Sequence, residues 1–235
     1  MQSGEKEFSL AFLTVGQAPR TDIFPELTDL LKYPVRYREF GAVDDNAALA
    51  TARISKVKPD QLAYCSRLRD GGEVVLDKIR VTELMQQLLL SFKSDEFDLV
   101  VILCSGDAAD YKCACPVITA GEVISQAEDD LRACGLDLGI ITPLAEGMQK
   151  YIDGQGYSEA AITFASPYSG ADMAKAGAKL GAYDLILMHC LGYSREMGNI
   201  AETQSGKPVL TARQLLSKGI NDWLSFQTQK MKAAV

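Results

Sequence analysis

Short apolar runs with strand character alternate along the chain with stretches of helical period. That alternation is the sequence form of a parallel sheet covered by helices. Strands are predicted over 8–15, 35–40, 99–104, 138–142, 161–165, 185–190 and 209–211, and helices over 22–32, 80–94, 121–134, 144–155, 171–181 and 212–230. The fold class is therefore α/β. One segment breaks the pattern, where 61–69 and 73–76 flank Asp70-Gly71-Gly72. Those glycines supply the positive φ that a tight turn needs, so a small β-hairpin insertion is expected there, placed to lie over a site. No repeat, low-complexity tract or long Pro/Gly/Ser linker separates independent domains.

With 235 residues, 47% of them hydrophobic, the chain has ample material for a large core. Its net charge of −7 argues against a nucleic-acid partner, because that affinity comes from clustered Lys and Arg. The charged start and the lack of an apolar run of about 20 residues argue against a membrane span. Six cysteines without a secretion signal read as reduced thiols of a cytoplasmic protein.

Two of those thiols close apolar strands: Cys104 ends 97–104 and Cys190 ends 183–190. A turn-forming segment follows each, Ser105-Gly106-Asp107 and Leu191-Gly192-Tyr193. Open α/β sheets bind ligands at the carboxyl ends of their strands, so both thiols are candidate catalytic groups. Removing a proton beside a carboxylate or amide carbonyl needs a base on one face of the carbon, and inversion needs an acid on the other. Gly106 and Gly192 let backbone N–H groups approach a developing negative charge, with Ser105 beside them. The competing reading, that Cys104 and Cys190 are small buried hydrophobes, stays open.

Packing is the expected role of Cys65 and Cys134. Cys113 and Cys115 are too closely spaced for a zinc pair, so no metal is expected, and their role is structural or redox. His189 alternates with Cys190 along the strand and points away from its thiol, which disfavours a Cys/His dyad.

Thr14 ends the opening strand, and 16–22 leads into a helix whose N-terminal amides favour an anion. A carboxylate bound bidentately by Arg20, with Thr14 and Gln17 as hydrogen-bonding partners, is one reading; a plain βα turn with a surface arginine is the other. Arg67 and Arg69 alternate with Leu68 and read as a basic gate or as a solvated face. Thr211 and Arg213 hold a comparable strand-end position, and Tyr193 covers the ligand or packs.

Leu13-Thr14-Val15-Gly16-Gln17-Ala18-Pro19-Arg20-Thr21-Asp22, Ser66-Arg67-Leu68-Arg69-Asp70-Gly71, Leu103-Cys104-Ser105-Gly106 and Cys190-Leu191-Gly192-Tyr193 together resemble the AroM family. That family belongs with the aspartate/glutamate racemase superfamily, and the resemblance runs over nearly the whole chain in order. It implies two pseudo-symmetric parallel-sheet lobes with flanking helices, 1–112 with 212–235 and 113–211, and an active site in the cleft between them. Superfamily members include amino-acid and hydantoin racemases, a maleate isomerase and an arylmalonate decarboxylase. The expected activity is cofactor-independent proton transfer at the α carbon of a small carboxylate or amino-acid derivative, using Cys104 and Cys190. An isomerase of racemase/epimerase type leads, and a lyase (decarboxylase), a cis/trans isomerase or a non-catalytic small-acid sensor are the alternatives. The expected partner is a small-molecule carboxylate, and a homodimer is the commonest assembly for such a chain.

Overall fold

The computed structural model describes residues 6–56, 58, 61–106, 109–145, 152–154, 156–168 and 172–233. Ten strands build two four-stranded sheets and a hairpin. The first sheet contains β1 (Phe8–Thr14), β2 (Val35–Gly41), β5 (Leu99–Leu103) and β6 (Val117–Thr119), ordered β2-β1-β5-β6. The second contains β7 (Leu138–Thr142), β8 (Ile162–Phe164), β9 (Leu185–Met188) and β10 (Val209–Thr211), ordered β10-β9-β7-β8. All pairings in both sheets are parallel. Numbered within its own half, each sheet runs second, first, third, fourth, so the halves share one topology without a repeated sequence. β3 (Ala63–Arg67) and β4 (Glu73–Asp77) pair antiparallel as the expected hairpin.

Why these runs become parallel strands is visible in their burial. Every residue of β5 and β7 is buried, as continuous Val/Ile/Leu runs must be when helices cover both faces of a sheet. Alternate side chains then divide between cores. Phe8, Leu10 and Phe12 of β1 and Val101 of β5 share one core with Leu138 and Ile140 of β7 and Leu187 of β9, so a single apolar layer joins the two sheets. Ala11, Leu13, Val100 and Ile102 face the other way, onto Val81, Met85 and Leu89 of helix α3 (Lys78–Leu90). Ile141, Ile186 and Met188 pack on Met173, Ala176 and Ala201.

The C-terminal helix α7 (Ala212–Ala233) adds Leu215, Leu216, Ile220 and Leu224 to the shared layer and lies against α1 (Phe24–Asp29) and α4 (Ala120–Ala133). Burying an aliphatic side chain of this size contributes roughly 1.5–3 kcal/mol. Asn221 of α7 fixes the joint by accepting from Lys32 N at 2.8 Å and donating to Leu30 O at 2.9 Å.

Three elements depart from expectation. β6 is only three residues long, too short to show alternation, and its pairing with β5 places 117–119 in the first sheet. The first sheet therefore extends past residue 112, where the first lobe was expected to end. Helix α2 (Asn46–Ala52) buries only Ala52, and α6 (Arg195–Ser205) buries only Gly198 and Ala201, so neither carries the large apolar stripe that periodicity detects. Helix caps mark them instead: Asp45 accepts from Ala47 N and Ala48 N, and Ser194 from Met197 N. Most of the helix expected over 144–155 lies outside the described residues, as does the start of the one expected over 171–181.

α5 (Met173–Lys179) crosses α6 closely because Gly177 has no side chain: a Cβ there would stand 2.6 Å from Ala201 O and 2.7 Å from Ala201 Cα. Backbone cannot yield as a flexible side chain does. Gly177→Ala is expected to destabilise the protein by about 1–3 kcal/mol in denaturant unfolding.

Candidate active site

β5 and β9 are the third strands of their sheets, and Cys104 and Cys190 stand just beyond their carboxyl ends. Both cysteines line one cavity. The loops after β5 and β9 supply Ser105, Gly106, Leu191 and Gly192; the end of β7 supplies Thr142; and hairpin strand β3 closes one side with residues from Ala63 to Ser66.

Cys190 is held closely. Its Sγ accepts from Gly192 N at 3.3 Å, while Arg213, 1% exposed, donates from Nε to Leu191 O at 2.7 Å and from Nη2 to Gly192 O at 3.0 Å. Leu191 O and Gly192 N belong to one planar peptide and point in opposite directions. Drawing the carbonyl toward Arg213 therefore aims the N–H at the thiol. Glu26 completes the arrangement, accepting from Arg213 Nη1 at 2.8 Å.

Burial pushes the Cys190 thiol upward, against the lowering influence of Gly192 N–H, the Arg20 charge, a hydrogen bond from Tyr168 and the Arg213 charge. The Tyr168 hydroxyl accepts from Arg20 Nη2 at 2.9 Å, and a Cβ on residue 192 would come within 2.3 Å of it. Glycine at 192 is thus required for the tyrosine to reach the thiol. Burial also raises Tyr168 well above the usual phenol range, so it carries its proton at neutral pH.

Several expected ligand contacts are corrected by internal partners. Arg20 does line the cavity, but its Nε and Nη2 fork is taken by Asp22 at 2.9 and 2.8 Å, and Nη1 donates to Thr14 Oγ1 at 3.0 Å. Burial would lower Arg20, yet Asp22 and Tyr168 raise it. Thr14 and Gln17 lie off the lining; Gln17 Oε1 accepts from Arg69 N at 3.1 Å and so fastens the hairpin. Arg67 approaches Asp22 at 3.5 Å, and Arg69 bonds Asp44 at 2.7 Å and Ala18 O at 2.5 Å. These two arginines clamp the hairpin to the first loop, which turns through a cis Ala18–Pro19 peptide, and do not gate the cavity. Tyr193 is fully buried and donates to Ala165 O at 2.8 Å. Thr211 bonds Gln214, and neither Thr211 nor Arg213 reaches the lining.

Cys65, expected to pack, lies on the cavity with its Sγ 3.6 Å from Glu73 Oε2, and Ser166 Oγ also donates to that carboxylate. The hairpin is thereby tied to the second half as well. Cys134, also expected to pack, is exposed at a helix end. Cys113 and Cys115 are not joined: Cys115 Sγ donates to Lys93 O at 3.0 Å, and Cys113 Sγ accepts from Cys115 N at 3.4 Å. Among the described residues, no group of three or more His, Cys, Asp or Glu side chains is placed to hold a metal, and no helix is long and apolar enough to cross a membrane.

Tyr64, Lys78, Leu144 and Tyr168 line the cavity without having been singled out in sequence. Thr142 and Tyr168 were findable, because Thr142 ends one second-sheet strand and Tyr168 follows another, where the strand-end rule applies. Lys78 gives no such signal, since only the folded hairpin brings it in.

With this geometry established, the AroM protein family matches residues 10–224. The chain belongs to the AroM family. No curated protein matches it in sequence. In fold, this AroM-family chain is similar to the maleate isomerase Iso from Pseudomonas putida S16 (15% identity, TM-score 0.55, covering 94% of each chain). It is also similar to allantoin racemase from Klebsiella pneumoniae (11%, TM-score 0.55, 94% of this chain and 89% of that one). A third similar fold is glutamate racemase from Thermus thermophilus in complex with beta-chloro-D-alanine (12%, TM-score 0.50, 94% and 83%). The α/β architecture is that of the aspartate/glutamate racemase type.

His189 also lines the cavity. Its Nε2 lies 3.2 Å from Glu128 Oε2 on α4, and the Tyr157 hydroxyl donates to Glu128 Oε1 at 2.6 Å. Burial pushes the Glu128 carboxyl up, but His189, Tyr157 and Arg132 together hold it below the usual carboxylate range. A depressed folded value means that Glu128 adds stability above its unfolded pKa and that this stability is lost as pH falls through the folded one. Glu128→Gln is expected to flatten the acid limb of stability against pH in denaturant unfolding. Tyr168→Phe removes a group that lowers Cys190, so the pH midpoint of Cys190 alkylation, followed by mass spectrometry, moves up by as much as about one unit.

Proposed function

We propose that this AroM-family protein is an enzyme that moves a proton at the α carbon of a small carboxylate or amino-acid derivative, with Cys104 and Cys190 as the acid–base pair and no cofactor. One observation carries the reading: the two thiols follow topologically equivalent strands of two like sheets and line one cavity. A pair so related suits a carbon approached from two faces. The fold similarity to proteins named as a maleate isomerase, an allantoin racemase and a glutamate racemase supports an isomerase. Six free cysteines suit a reducing compartment such as the cytoplasm.

The raised Cys190 thiol assigns the starting roles. Cys190 begins protonated and delivers its proton to one face, while Cys104 takes the proton from the other. Backbone groups of the loops after β5 and β9 lie beside the carbon where charge develops, and one well-aimed donor contributes about 3 kcal/mol.

The same thiol favours a second reading, decarboxylation, in which only one face is protonated. Single substitutions separate the two. For a racemase, Cys104→Ala and Cys190→Ala each reduce deuterium incorporation from heavy water by at least about 100-fold across a panel of amino acids, hydantoins and malonates. For a decarboxylase, Cys104→Ala leaves turnover of the malonates in place. Full activity in both variants rules out thiol chemistry.

A further inference from the structure

We propose that the cavity takes a monocarboxylate bearing an apolar substituent on the reacting carbon, with the carboxylate held by Lys78 and the substituent against the hairpin and the loop after β7. This deepens the proton-transfer reading and rests on it for the fate of the bound acid. Recognition itself stands on separate observations.

The first is where positive charge remains uncommitted. Among the described residues, Arg20 and Lys78 are the two Lys or Arg side chains on the lining. Arg20 is neutralised by Asp22 on a two-point contact. Lys78 has no carboxylate partner among the described residues. Its Nζ donates to Gly106 O at 2.9 Å, two residues beyond Cys104, and stands 5.3 Å from the centre of the Tyr64 ring. Its other two N–H donors have no hydrogen-bond partner among the described residues and face the loop after β5.

The second is where Lys78 sits on its own helix. It is the first residue of α3, directly after Asp77, whose carboxylate caps that helix by accepting from Arg80 N at 2.9 Å, while Lys78 Nζ turns to the loop after β5. The helix pole is thus already met, and a bound carboxylate answers the charge of Lys78 alone. Nearby, Ser66 is 1% exposed and its Oγ has no hydrogen-bond partner among the described residues.

The third is what surrounds this anion site. Leu62, Tyr64, Leu103, Pro143, Leu144 and Leu191 supply much of the remaining wall. A second carboxylate on the ligand would be desolvated there with Arg20 already matched, which is costly. An aryl or branched alkyl group instead gains apolar contact.

The test is protection of Cys104 and Cys190 from iodoacetamide, followed by mass spectrometry, with 2-phenylpropionate and succinate as probes. 2-Phenylpropionate is expected to protect at about tenfold lower concentration than succinate, Lys78→Gln to raise the required concentration about tenfold, and Lys78→Arg to stay within about threefold of the parent. Thermal unfolding of each variant checks that the hairpin is intact. Better protection by succinate, or equal protection of the parent and Lys78→Gln, overturns the assignment. Deuterium exchange into bound 2-phenylpropionate is scored in the same samples. Lys78-dependent protection without exchange supports this recognition and sinks the proton-transfer reading, whereas exchange into aspartate that ignores Lys78 does the reverse.

Discussion

The apolar layer shared by the two sheets is what makes one site out of two strand ends. Phe12 and Val101 on one side, Ile140 and Leu187 on the other, and Leu216 and Ile220 of α7 between them belong to a single core. Close-packed interiors transmit displacement instead of absorbing it, so the carboxyl ends of β5 and β9 cannot drift independently. A hinge between the halves would first have to open this layer. Asn221, which bonds Leu30 and Lys32 from α7, fixes the same relation by hydrogen bonds at the edge of the core.

The hairpin extends that logic across the cavity. It is tied to the first loop through Arg67–Asp22, Arg69–Asp44 and the Gln17–Arg69 hydrogen bond, and to the second half through Glu73 and Ser166. Its arginines are bound to the protein itself, which explains how a chain with arginines near its site leaves so little free positive charge on the lining. Exposed ion pairs contribute little to stability, but here they set a position: without them β3 has no reason to lie beside the catalytic loops.

Much of this architecture was legible in the sequence. The continuous apolar runs of β1, β5, β7 and β9 identify buried parallel strands, and the hairpin follows from Asp70-Gly71-Gly72. The strand-end rule found both thiols and the glycines beside them. It failed where chemistry depends on a partner distant in sequence. Arg20 and Arg213 carry the charge a substrate carboxylate seeks, but Asp22 and Glu26 claim them, and nothing local announces that Glu26 lies beside a residue 187 positions later. Lys78 has the opposite history, being unremarkable in sequence and brought to the cavity by the fold. Helices α2 and α6 were hidden because their buried residues are small, and β6 because it is short.

If the two thiols are the acid–base pair we propose, their protonated and ionised forms must lie close in energy, and the surroundings of Cys190 bear on this. Burial alone strands it in the neutral form. Against this stand the Gly192 N–H and the Tyr168 hydroxyl, each set by an arginine that makes no direct bond to the sulfur. Arg213 holds the Leu191–Gly192 peptide in the orientation that aims its N–H at Sγ, and Arg20 holds Tyr168 by its oxygen, which leaves that hydroxyl's proton free to turn toward the thiol. The charges stay back from the sulfur, while the neutral groups they orient do the touching. That division also bears on the sequence: Arg20 lines the cavity, Arg213 lies behind it, and the charge of each acts on Cys190.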